Sequence, residues 1–254
     1  MMELRRGFPR ARAACPQAIC LMVLLCVMPT PATQKASFVR GDDSDWWSNV
    51  ADAQIDFDAP QTRTQHRELA PSTLEVATVR VGLGEIDRAT TRLGKAKVIF
   101  RGDGALGRIQ ACYVSPDSAV HLIFQENGEG FGATFYLFKD GRDWNGSNLC
   151  AKSPLVSQDT GTESGLRLGL TRTEVESILG KPSIASPDRL RYNLEVVKRT
   201  PAGKLKQLRA TSPDLSDKDF HDSYDSYYVS SIVVAKFEDS KLIYLAVTRY
   251  ESYP

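Results

Sequence analysis

Histidines, clustered carboxylates and cysteines are the residues of this chain whose types could do chemistry, and their spacing argues against most of it. The 254 residues hold 3 histidines. His66 lies in a polar stretch, His121 inside an expected strand and His221 in a long loop. A hydrolase needs a nucleophile, a base and an orienter, or a metal set. If Val120, Leu122 and Phe124 face a core, His121 stands on the wet side of its strand. Asp214, Asp217, Asp219, His221, Asp222 and Asp225 crowd one loop, but the D-x-D-x-D-G spacing of a calcium loop is missing. A solvated or partner-facing loop is expected there, and no metal.

Two glycine-rich stretches mimic known sites. "GEGFGA" from Gly128 lies in an expected hairpin, whereas a dinucleotide site needs a helix N-terminus behind it. "GTESG" from Gly161 carries its serine one place late for a nucleophile elbow and reads as a turn-rich linker. Arg-Gly-Asp at Arg40 and Arg101 reads as ordinary turn chemistry. Asn145-Gly146-Ser147 fits a glycosylation acceptor, relevant only in a eukaryotic secretory route. No catalytic residue and no cofactor is expected.

Composition bounds the partner. Apolar residues make up 42% and the formal net charge is +1, which gives no electrostatic footprint for nucleic acid. Residues 1–32 read as a signal peptide: Arg5, Arg6, Arg10 and Arg12, then the apolar run Ala18–Met28, then small residues Thr30 and Ala32. The alternative is an uncleaved anchor. After cleavage no stable membrane span is expected. Cys15, Cys20 and Cys26 would leave with the signal, so Cys112 and Cys150 remain as a disulfide pair in an exported chain, the alternative being two buried free thiols.

The elements follow. Residues 33–71 are polar without a sustained period and read as a flexible lead, in which Trp46 and Trp47 either tuck back onto the body or serve a partner. From Gly169, "GLTRTEVESILGKPS" is a bracketed helix: Thr171 and Glu174 form a capping box, Val175, Ile178 and Leu179 share a face, and Gly180 and Pro182 end it. "GLGEIDRATTRLGKAK" from Gly82 is a weaker copy with Ile86, Ala89, Thr90 and Leu93 as its stripe and no capping threonine. Short β-rich runs follow each helix: "RIQACYV", "AVHLIFQ" and "ATFYLF" after the first, "RLRYNLEV" and a hairpin turning at Asp239-Ser240 after the second. The expectation is an α+β fold of two tandem helix-plus-antiparallel-meander units, 72–160 and 161–254, the second interrupted by an inserted loop 200–226.

Gly169, Leu170, Glu174, Val175, Leu179, Gly180 and Pro182, with a thinner set Gly82, Leu83, Leu93 and Gly94, resemble the β-lactamase-inhibitor-protein-like (BLIP-like) fold and the small envelope proteins of the BamE (SmpA/OmlA) type. That resemblance implies two units side by side, helices on one sheet face, and the other face free for a partner protein. The lipid-attachment cysteine of the envelope lipoproteins is absent from this pattern.

A two-residue turn in the last hairpin pairs Lys241 with Glu238, Leu242 with Phe237 and Tyr244 with Ala235. Phe237, Tyr244, Thr248 and Tyr250 then share an aromatic surface, either packed on the neighbouring unit or open to a partner. The resulting expectation is a periplasmic or secreted, non-enzymatic module that binds another protein, with inhibition of an envelope or extracellular enzyme as its sharper form. The alternatives are a structural component of envelope assembly and an exported hydrolase.

Overall fold

The computed structural model describes residues 39–40, 64–82, 84–101, 107–127, 132–139 and 149–254. The expected signal peptide, Trp46 and Trp47, most of "GEGFGA", Leu83, Gly102-Asp103 and Asn145 lie outside the described residues. Residues 36–254 form one compact unit.

The described strands are β1 (Val39–Arg40), β2 (Glu75–Val76), β3 (Val79–Arg80), β4 (Val98–Arg101), β5 (Arg108–Val114), β6 (Val120–Asn127), β7 (Gly132–Lys139), β8 (Ala151–Lys152), β9 (Ile184–Ser186), β10 (Arg189–Arg199), β11 (Ser226–Glu238) and β12 (Lys241–Ser252). The helices are α1 (Glu85–Leu93), α2 (Arg172–Leu179), α3 (Ala202–Thr211) and α4 (Asp217–Tyr224), with a 3-10 turn at Pro71–Leu74. The class is α+β.

One sheet runs β1-β4-β5-β6-β7-β12-β11-β10-β9, with β8 added on β5 beside β4. Apart from the parallel pairs β1·β4 and β5·β8, its ladders are antiparallel. The strands of the two expected units thus join through β7 and β12, with Tyr244 opposite Phe138 and Tyr250 opposite Gly132.

Alternation along the strands builds one core between the sheet and the helices. Tyr113, Leu122, Phe124, Phe135, Leu137, Tyr192, Leu194, Val233, Leu245 and Val247 point to that side and are buried. Ile86, Ala89 and Leu93 of α1 and Val175 and Leu179 of α2 meet them. Helices of two turns hold little stability alone, so this packing is what maintains them. Leu69, Leu74, Val76 and Val79 join the same core together with Leu166, Leu168 and Leu170. "GTESG" is therefore stitched into the body: Glu163 N–H donates to Glu75 O, Ser164 N–H to Ser72 O, and Thr73 Oγ1–H to Ser164 Oγ. A Cβ on Gly161 would stand 2.6 Å from the carbonyl oxygen of Leu166, so only glycine fits that crossing.

Three expectations change. Residues 64–71 belong to the body rather than to a lead: Leu69 is buried, Gln65 bridges β10 beside Leu194, and Glu68 pairs with Lys198 and Arg249. The insertion 200–226 is helical. Ser216 caps α4 by accepting from Asp219 N–H, and buried Phe220 lies under the Arg209 guanidinium at 5.0 Å. His121 is buried rather than wet.

Cys112 and Cys150 are disulfide-bonded, with Cα atoms 4.5 Å apart. The bond fastens the residue before β8 to β5.

Candidate binding face

The sheet side turned away from the helices is built from directly opposed residues that form rows across the strands. One row runs His121, Phe138, Tyr244, Lys236 over β6, β7, β12 and β11. The next runs Cys112, Ile123, Tyr136, Ala246, Val234, Arg191, and a third Gln110, Gln125, Thr134, Thr248, Ile232, Asn193. Rows of this kind are the unit of side-chain contact in a sheet.

The first row is a stack. The His121 ring lies 5.2 Å from that of Phe138 at 14° between planes, Phe138 lies 6.2 Å from Tyr244, and Lys236 Nζ sits 5.2 Å over the Tyr244 ring. A cation over an aromatic face is attracted by its quadrupole. The third row is polar: Gln110 Nε2–H donates to Gln125 Oε1 at 2.6 Å, Thr134 and Thr248 hydroxyls meet at 3.0 Å, and Arg191 Nε–H reaches across from the second row to Asn193 Oδ1 at 2.9 Å. Tyr136, Phe138 and Tyr244 are at most 1% exposed, while Tyr250 at one end is half-buried.

Of the four residues expected to share this surface, three do. Tyr244, Thr248 and Tyr250 alternate along β12 on the side away from the helices. Phe237 does not join them. A β-bulge between Lys236 and Phe237 pairs Tyr244 with Lys236 instead of Ala235, and leaves Ile243 as the extra residue. Phe237 consequently points into the helix-side core, where the Arg172 guanidinium lies 5.5 Å from its ring centre. Leu242, Ile243, Tyr244 and Leu245 are consecutive apolar residues, so alternation carries no signal of the bulge in the sequence.

Among the described residues the histidines His121 and His221 occupy separate settings. His221 Nδ1 pairs with Asp225 Oδ1 at 2.7 Å on exposed α4, whereas His121 is buried in the sheet. Among the described residues no group of histidine, cysteine or carboxylate side chains has the arrangement of a metal site, and no helix is long and apolar enough to cross a membrane.

A second polar feature lies on the helix side, where the sequence has no capping residue for α1. Gly84 offers no side chain, and the carboxylate of Glu126, from β6, accepts the Ile86 N–H at 2.8 Å instead. Glu85 is fully buried beside it. Burial, and then the neighbouring Glu126 charge, hold its carboxyl well above the usual carboxylate range. Gly82 N–H donates to Glu85 Oε2 at 3.3 Å.

Protein-family models, curated proteins and solved structures contain no match to this chain.

Proposed function

We propose that this chain is an exported, non-enzymatic protein-binding module whose working surface is the sheet side opposite the helices. In its sharper form the bound protein is an envelope or extracellular enzyme that the module inhibits. The observation that carries the reading is the division of labour in the sheet. The described helices α1 and α2 pack on one side, and the other carries tyrosine, phenylalanine, histidine, lysine and amide side chains in ordered rows, most of them buried, with Thr248 and Tyr250 half-buried at one end. Rigid amphipathic rings add contact area at low entropic cost, which is why they anchor protein interfaces.

The disulfide supports export to an oxidising compartment, periplasmic or extracellular. Two related units, each a helix followed by a meander, are supported by the strand order, in which β4-β5-β6-β7 meets β9-β10-β11-β12 in reverse.

The test is co-purification from the native envelope and culture fluid with wild type, Tyr250→Ala, Lys236→Ala and Phe237→Ala, followed by a direct binding assay with the recovered protein. Loss of binding in Tyr250→Ala and Lys236→Ala, with Phe237→Ala retaining it, supports the reading. Equal binding by all four chains removes this face as the binding surface.

A further inference from the structure

The outer side of β10 is paired over only part of its length. β9 lies against residues 189–191, and Gln65 bridges beside Leu194. There Gln65 N–H donates to Asn193 O at 2.9 Å and Glu195 N–H donates to Gln65 O at 3.0 Å. Backbone groups along a strand alternate in direction, so those of Val197 and Arg199 point outward as Asn193 and Glu195 do. Thr200, of the other parity, donates its N–H inward to Asp225 O. Past Gln65 the chain turns away from the edge, with Arg67 N–H donating to Gln65 O and Leu69 buried in the core. Among the described residues no strand or bridge pairs with Val197 or Arg199 on this side. Val197 is 60% exposed.

An open strand edge is a template for a further strand. The edge itself reads Glu195-Val196-Val197-Lys198-Arg199, with opposite charges two places to either side of the exposed valine. Place two copies antiparallel about a two-fold axis at Val197, and Glu195 of each stands opposite Arg199 of the other, while Val196 stands opposite Lys198. Opposite charges directly across a strand pair stabilise it, and the Val197–Tyr228 row continues through the axis into the second copy. Glu195 is already oriented for this, since Ser230 Oγ–H donates to its Oε2 at 3.0 Å.

The charges also select the register. An axis one residue later sets Lys198 against Lys198, and two residues later Arg199 against Arg199, both repulsive. An axis one residue earlier sets Lys198 against Leu194, where Gln65 already sits.

We infer that residues 195–199 are a self-pairing edge, through which two copies of this chain join antiparallel about Val197. Each Val197 exchanges both of its backbone bonds with its counterpart, and each Arg199 N–H donates to the Glu195 carbonyl of the other copy, while Glu195 N–H stays with Gln65. A contact this short makes a weak dimer whose population follows concentration. The inference does not depend on the protein-binding reading, since the contact runs through the backbone of the strand edge.

The test is sedimentation of the full chain over a concentration series, beside Glu195→Arg, Arg199→Glu and the double variant carrying both changes. Wild type is expected to dimerise as concentration rises. Each single change sets like charges across the axis and is expected to weaken the dimer about tenfold, and the double change is expected to restore it. Amide hydrogen exchange supplies a second reading: Val197 and Arg199 gain protection with concentration, whereas Val196 and Lys198, which face β11, are protected throughout and report folding. A wild type that stays monomeric up to about 1 mM, or a dimer indifferent to the single changes, overturns the inference. A double variant no better than the single ones overturns the antiparallel pairing. Protection of Val197 and Arg199 that is independent of concentration overturns the second copy as the occupant.

Discussion

Tyr113 and Tyr192 hold corresponding places in the two halves of the sheet: each donates its hydroxyl to the carbonyl of the glycine that ends the preceding helix, Gly94 and Gly180, at 3.1 Å in both cases. Each tyrosine stands on the strand next but one after its helix, and burial pushes both phenols above their ordinary range. A helix end has carbonyls without intrahelical partners, and here a core side chain takes one of them. Tyr113→Phe and Tyr192→Phe are each expected to cost about 1 kcal/mol, since a carbonyl loses its donor while ring packing is kept. The two changes share no partner and should add. Urea denaturation of the single and double variants measures both values; a single change without effect, or strong coupling, would contradict this account.

The buried Glu85 carboxyl makes stability fall as pH rises. Its folded-state affinity for a proton is raised by burial and by Glu126, so its contribution is full below the unfolded value of about 4.5 and is lost as pH climbs toward the raised one. Glu85→Gln keeps an acceptor for Gly82 N–H and removes the ionisation. At neutral pH the variant should be more stable than wild type, with a flatter stability curve above pH 4.5. Thermal melts from acid to neutral pH decide it. A variant that melts lower at pH 7 would count against a neutral buried carboxyl.

Reduction of the Cys112–Cys150 bond opens a loop of sequence separation 38, worth roughly 3 to 4 kcal/mol in the chain-entropy model. Unfolding free energies from denaturant curves with and without reductant are expected to differ by that amount. Free thiols detected by mass in the untreated protein would remove the bond from the account.

Phe220 is the anchor of the α3–α4 insertion, touching Tyr224 and Arg209 while α3 has no buried residue of its own. Phe220→Ala is expected to make the 203–216 segment a preferred site of limited proteolysis and to leave the protection of the main sheet unchanged. Loss of sheet protection would show that the insertion supports the fold globally.

Several local features are legible from residues a few places apart. The capping box was written in Thr171 and Glu174, and the structure has both of its hydrogen bonds. The turn at Asp239-Ser240 follows from small polar residues that tolerate the positive φ both adopt, and the paired cysteines from their number and setting. The apolar stripes of α1 and α2 likewise face the core as their spacing requires. Helix ends, tight turns and faces are set by neighbouring residues, so local chemistry suffices for them.

Other features depend on partners far along the chain. Glu126 serves as the cap that α1 lacks, from 40 residues away. A single bulge sends Phe237 and Tyr244 to opposite sides of a hairpin, because the side-chain period of a strand is two and one extra residue reverses it. His121 alternates as expected, yet it is buried, because the alternation of a strand tells which residues share a side and not which side meets water. By itself the sequence determined two capped or bracketed helices, the strands that follow them and the cysteine pair. The joining of β7 to β12, the facing of the candidate surface and the burial of its rows were decided by tertiary structure, since register and layering are settled only when distant strands pair and exclude water together.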